Sequence, residues 1–334
     1  VTNAIEVTGS NTAVTAALVT SGSKVEVTDA AVTLNDADNT AIAATVLSNI
    51  GSETTGTVTV TNAIEVTGST AQAKAALVTS GSRVEVTDAA VTLNDADNTA
   101  IAATDLSGIG NITTGTVTAS NSIEVQGTGA EVTAALVTAS TLVVAGGGST
   151  VATVSDLVTA SVGSAIAAKN NVTAAFTNGI SDAIANLAST GSITAALTNV
   201  KNDDSDVAIT ISDADNTAIT AADLSAIGSA TTGTVTSTNA IEVTGNSTQI
   251  TAALVTAGSK IVANSSTTAA TVSDQVSVST AESIAGVNNI VAGFTNGISD
   301  SLSNLASSGS ITSGLSTVTT DDTNIAIAIT DADN

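Results

Sequence analysis

Apolar and polar residues alternate along short stretches of the chain, and this alternation sets the first expectation. Ile5 and Val7, Val25 and Val27, Val32 and Leu34, Ile209 and Ile211, and Ile325, Ile327 and Ile329 stand two apart, so each set lies on one face of a β-strand. Polar residues such as Glu6 and Glu26 fill the positions between them and point outward. A second period appears in Ala-rich segments. Ala102, Leu106 and Ile109 fall at i, i+4 and i+7, and Ile180, Ile184 and Leu187 repeat that spacing, which predicts short amphipathic helices. Gly81, Gly110 and Gly191 stand where such helices stop. The Thr and Val content of these segments leaves strand as the alternative for some of them.

Strand-like and helix-like stretches recur on a fixed ruler. Residues 1–59 and 60–118 align without a gap and differ at ten positions. The pairs Ile123 and Ile241, Phe176 and Phe294, and Asp213 and Asp331 are each separated by twice that period. The chain therefore reads as modules 1–59, 60–118, 119–236 and 237–334, the last truncated. It begins and ends inside a repeat, as a window of a longer polypeptide does.

Within each module the alternating stretches end at Gly9, Asp36, Gly68, Asp95, Gly127, Asp156, Asp182, Asp213, Gly245, Asp274, Asp300 and Asp331, at intervals close to half the module length. One strand plus one short helix in roughly 30 residues cannot bury its own apolar face, but stacked copies can. The expected fold is a β-rich repeat protein, an elongated β/α solenoid of such coils in one continuous array. The alternative is a string of small β-sandwich modules.

Composition narrows the function classes. The 334 residues include no His, Cys, Met, Trp, Tyr or Pro and two Phe. Without His, Cys or Tyr there is no imidazole proton shuttle, thiolate nucleophile or soft-metal site, and no catalytic motif stands behind the remaining Ser, Thr and acids. The expectation is a protein that is not an enzyme and takes no small-molecule substrate. Thirty acidic and six basic residues give a formal charge of −24, which repels nucleic acid and anionic membranes. No apolar run reaches the length of a membrane span. The lack of Cys fits an extracellular protein stabilised by something other than disulfides.

The sharpest motif is DADN, at Asp36, Asp38 and Asn39, again at Asp95, Asp97 and Asn98, at Asp213, Asp215 and Asn216, and at Asp331, Asp333 and Asn334. One reading makes the second Asp or the Asn an N-cap of the Ala-rich helix that follows, with acid at the positive end of its dipole. The other makes the same oxygens ligands for Ca2+, the one candidate cofactor, completed by Asp29 or a neighbouring coil. The central Gly and distal Glu of an EF-hand are missing. Asp203, Asp204 and Asp206, with their counterparts Asp321 and Asp322, form further acid clusters read as solvated loops. Thr57 and Thr59, Thr116 and Thr118, and Thr234 and Thr236 form Thr-x-Thr pairs too widely spaced for an ice-binding face. Four sequons, at Asn111, Asn171, Asn246 and Asn264, are expected by chance in so Ser/Thr-rich a chain.

With phrases such as SGSKVEVTDAAVTLNDADNTAIAAT recurring on the same ruler, the chain resembles the giant acidic Ala/Thr/Val-rich repeat proteins that marine bacteria, cyanobacteria especially, export to their surfaces. The resemblance implies secretion by a dedicated system and a role in a surface layer, an extracellular filament or an adhesin stalk. The expected partner is the protein itself, as a self-assembling filament, fibre or layer at the cell surface. Complementary contacts of Lys24, Arg83 and Lys260 with acids, or calcium, would offset the charge. The alternative is the spacer of a large adhesin whose binding module lies outside these residues.

Overall fold

The structure, a computed structural model, describes residues 5–22, 25–138, 143–146, 149–256, 261–262 and 268–331. They fall into two compact units, Val1–Asp156 with Ala165–Ala175, and Leu157–Ser164 with Phe176–Asn334.

Several alternating stretches form strands with one face buried, whereas Ile327–Ile329 is a strand with both isoleucines exposed. In Ala31–Leu34, Val32 and Leu34 are fully buried and Thr33 faces the other way. Glu6–Gly9, Ile209–Ile211 and Ile327–Ile329 are strands as expected. The Val25–Val27 stretch is not a strand. Val27 is buried but Val25 is exposed, so the stretch lacks a fully apolar face.

The fold is mixed α/β with several parallel sheets. In the first unit one sheet runs Glu6–Gly9, Ala31–Leu34, Val58–Val60, Val84–Glu85. A second runs Ala41–Ala43, Glu65–Gly68, Ala90–Leu93, Val117–Ala119, Val143–Val144. A third begins Ala100–Ala102, Glu124–Gly127, Thr150–Val154. The second unit contains the sheets Ile180–Asp182, Ile209–Ile211, Val235–Ser237, Ile261–Val262 and Ala218–Thr220, Glu242–Gly245, Thr268–Val272, Ile290–Phe294. Antiparallel pairing among the described strands is confined to two-residue hairpins such as Ala188–Ser189 with Ser192–Ile193. Sandwich modules are built from antiparallel strands, so that alternative does not describe this chain.

Parallel neighbours require a crossover, and the Ala-rich segments provide it. Ala44–Ser52, Thr70–Leu77 and Ala103–Gly110 are helices, each packed on the next. Leu47 and Ile50, and Leu106 and Ile109, turn into the core and are fully buried, each burial stabilising by ~1.5–3 kcal/mol. Ala73 and Ala76 let the middle helix approach its neighbours closely. The segment from Ile180 differs from expectation. Ile180–Asp182 is a strand, Ile184–Leu187 a single helical turn, and Gly191 lies in the hairpin turn rather than at a helix end.

Pairing along a ladder takes shorter steps than half the sequence period. Val32 pairs with Val58, Val58 with Val84, and Glu65 with Ala90. Two such steps fall short of one full period, and the chain spends the remainder on a turn and an extra strand such as Ala41–Ala43. Equivalent positions consequently change sheets. Val32 belongs to the first sheet, whereas Val91, its equivalent one period on, lies between Val66 and Val117 in the second. No helix among the described residues is long and apolar enough to cross a membrane.

Candidate functional site

The residues that carry chemistry in this chain are its carboxylates, and parallel register decides where they go. Gly9 pairs with Leu34, so just beyond the two strand ends Asn11 and Asp36 come together. Asp36 Oδ2 accepts the Asn11 backbone N–H at 2.7 Å and Oδ1 accepts from Asn11 Nδ2 at 2.8 Å. Asn11 is the first residue of the helical turn Asn11–Val14, whose leading N–H groups have no partner within the helix.

The same short step beyond a paired position recurs throughout. Gly68 pairs with Leu93, and Asp95 Oδ2 accepts from Thr70 N at 2.8 Å and Thr70 Oγ1 at 2.7 Å. Gly127 pairs with Val154, and Asp156 accepts from Gly129 N at 2.6 Å. Asp182 pairs with Ile211, and Asp213 accepts from Ile184 N at 2.7 Å. Gly245 pairs with Val272, and Asp274 accepts from Ser247 N at 2.6 Å. Asp331 accepts from Leu302 N at 2.5 Å, Asp182 from Ala160 N at 3.1 Å, and Asp300 from Val278 N at 3.0 Å. All eight aspartates that end an alternating stretch thus cap a helix 22 to 29 residues earlier in the chain. Each bond is charge-assisted and meets the positive end of a helix dipole.

These contacts correct the N-cap expectation for DADN. The helix after the motif starts only at Ala44, behind the strand Ala41–Ala43, and its N-cap Ala43 makes no side-chain bond. The reason is Asn39, which adopts a left-handed φ of 61° and closes a turn in which Thr40 N–H donates to Ala37 O at 3.1 Å. Asn tolerates this conformation. The other Asp of the motif reaches forward along the chain. Asp38 Oδ1 accepts from Ala63 N at 3.1 Å, Asp97 Oδ1 from Ser122 N at 2.9 Å, and Asp215 Oδ1 from Ala240 N at 2.9 Å. Asn39, Asn98 and Asn216 donate their backbone N–H to the carbonyls of Ala63, Ser122 and Ala240 at 2.6–2.7 Å.

The DADN turns at Asp36, Asp95 and Asp213 are thus two-way fasteners, the first Asp tied backward and the second Asp and Asn tied forward. Among the described residues no three His, Cys, Asp or Glu side chains gather closely enough to hold a metal ion. Asp333 and Asn334, like Lys24, Lys260 and Asn264, lie outside the described residues.

Sequence reasoning missed three further parts of the fastening. Asp156, Asp182, Asp274 and Asp300 cap helices without a DADN motif, and their place at the end of alternating stretches was the available signal. Asn62, Asn121 and Asn239 donate Nδ2 to the carbonyls of Asp36, Asp95 and Asp213. The TTG run is a clamp: buried Thr54, Thr113 and Thr231 each donate Oγ1 to a carbonyl 24 residues earlier, at Ala30, Ala89 and Val207, at 2.6 Å. The glycine that closes the run has room for nothing else, since a Cβ on Gly115 would lie 2.3 Å from Ala89 O.

The Thr of Thr-x-Thr pairs joins rows on the outward sheet face, Thr8, Thr33 and Thr59 in one sheet and Thr67, Thr92 and Thr118 in another. Glutamates tie these rows together: Glu65 Oε1 accepts from Thr92 Oγ1 at 2.8 Å and Glu242 Oε1 from Thr271 Oγ1 at 3.0 Å. Lys74 and Asp105 form an ion pair on the helix face.

The surroundings of Asp300 and Asp204 shift their titration in opposite directions. Asp300 is held below the usual Asp pKa by the Asn304 amide, then by the N–H groups of Val278 and Ser301. Asp204 is pushed above it, chiefly by burial. No protein-family model matches the chain, and neither a curated protein nor a solved structure matches it at a significant level.

Proposed function

We propose that this chain is a segment of an extracellular or cell-surface structural protein, an elongated solenoid that serves in a self-assembling filament, fibre or surface layer. The observation that carries the reading is the eightfold aspartate cap: eight helices are each completed by a residue 22 to 29 positions later. A segment is therefore unfinished until the next one folds against it, the energetic signature of a stacked array. The chemistry favours construction over catalysis. Eight of its aspartates are engaged by the N–H groups that open helices, and a chain without His, Cys or Tyr leaves acid, base and nucleophile roles to Ser, Thr, Lys and carboxylates that no catalytic motif gathers.

Calcium enters this reading as a counter-ion to the −24 charge, which must be overcome where chains meet. A second reading, the spacer of an adhesin, shares the stacked architecture and differs in self-association. It draws on the near-identity of residues 1–59 and 60–118, which leaves no segment specialised for a ligand.

Electron microscopy of the purified protein with calcium and after chelation separates the readings. Ordered filaments or sheets are expected, and their loss on chelation would assign calcium to the contacts between chains. Isolated rods in both conditions would overturn the self-assembling reading in favour of the spacer.

A further inference from the structure

Among the described residues, Ile290–Phe294 is the outermost strand of the sheet it forms with Ala218–Thr220, Glu242–Gly245 and Thr268–Val272. Successive residues of a parallel strand send their N–H groups to opposite sides. Thr295 N–H crosses to Val272 O at 3.1 Å, so the N–H groups of Phe294 and Ala292 lie along the outer edge, where a further strand would pair with them. Both are taken by side chains. Asp321 Oδ2 accepts from Ala292 N at 2.9 Å, and Asp322 Oδ2 accepts from Phe294 N at 2.9 Å. Ile290, the third residue facing that way, donates its N–H to Val287 O at 3.4 Å.

Two adjacent carboxylates are an unfavourable choice here unless they serve the strand. They are the last residue and the C-cap of the helix Ser313–Asp321, where the dipole is negative and favours a cation. The arrangement recurs in mid-chain. Val172–Phe176 is likewise the outermost strand of its sheet, and Asp204, the C-cap of Ala195–Asp203, accepts the N–H of Phe176 at 2.7 Å.

We propose that Asp321 and Asp322 are an edge stop: they close the outer edge of this sheet to strand addition by a second copy of the chain, and removing them opens it. A second copy is the fitting occupant because the strand is self-complementary. Ile290, Ala292 and Phe294 are buried on one face and Val291 is exposed on the other, so two released edges meet about a two-fold axis with like faces together. While the carboxylates stand, an approaching copy meets occupied N–H groups and two negative charges on a chain whose formal charge is already −24. This goes beyond the proposed function, since it concerns where copies do not join and holds for a filament subunit and a spacer alike.

Amide exchange at Ala292 and Phe294 tests the stop, whether or not the natural chain assembles through other surfaces. In the natural chain both amides are expected to be equally protected at every protein concentration. In dilute protein Asp321→Ala should quicken exchange at Ala292, and Asp322→Ala at Phe294, by roughly tenfold or more. In the double variant protection at both should return as the concentration is raised and copies pair. Should the double variant fail to fold, the concentration series is run on the single variants. Unchanged exchange at Ala292 and Phe294 in the single variants overturns the proposal, and so does exchange in a folded variant that stays fast at every concentration. Protection in the natural chain that grows with concentration at these two amides also overturns it, because the edge would then already be in use.

Discussion

The Asp213 carboxylate accepts the N–H of Ile184 at 2.7 Å across 29 residues of chain, the same separation as the paired strand residues Asp182 and Ile211. Strand register and helix capping are therefore one constraint. A slip of one residue in the ladder would turn the core face of the strand outward and also carry the carboxylate away from its helix.

This coupling predicts that an aspartate stabilises the helix before it rather than the one after it. Asp95→Ala removes two hydrogen bonds to Thr70 and should cost ~1–2 kcal/mol. Amide exchange is expected to quicken at the start of Thr70–Leu77 and to stay unchanged at the start of Ala103–Gly110. Faster exchange confined to Ala103–Gly110 would refute the backward cap.

The TTG clamp predicts a contrast between two glycines. A Cβ at Gly115 would press on the carbonyls of Ala89 and Asp88, whereas none lies within 4 Å at Gly81. Gly115→Ala should destabilise by about 1–3 kcal/mol through overpacking, and Gly81→Ala by a few tenths at most. Thermal unfolding of the two variants side by side measures the difference.

Leucines at helical positions should divide in the same way. Leu106 is fully buried and Leu302 is 52% exposed. Leu106→Ala is expected to cost about 2–5 kcal/mol, and Leu302→Ala within ~0.5 kcal/mol, both read from denaturant midpoints. Equal costs would mean that the helix face bearing Leu106 is not in the core.

Asp300 gives a prediction about pH. Its folded-state pKa is lowered by Asn304, Val278 and Ser301. Its contribution is therefore present above the ordinary Asp pKa and lost as pH falls through the lowered one. Exchange protection at Val278 N–H should fall on acidification through that range, and Asp300→Asn should remove the dependence.

Much of this arrangement could be read from residue types, because Val32 and Leu34 alternate and Leu106 and Ile109 recur at helical spacing with little ambiguity. The DADN turn was harder. Asp and Asn before an Ala-rich run suit an N-cap equally well, and only the left-handed Asn39 shows that the chain turns and becomes a strand before the helix begins. The donors that satisfy Asp36 and Asp38 sit far along the chain in opposite directions, at Asn11 and Ala63, and no local pattern points to them. Halving the sequence period also misplaced the step of the ladder, since sequence equivalence records the repeat and not which strands are neighbours.

The change of sheet between Val32 and Val91 has a consequence for a chain composed of near copies. Identical short strands stacked in register are the arrangement from which amyloid grows. Here the pairing step and the sequence period do not divide evenly, so EVTG lies beside AVTL and AVTL beside VTV; Val and Thr still stack on Val and Thr, but the two copies of a phrase are not the paired neighbours. The folded chain can reuse one phrase many times while keeping its copies from templating one another.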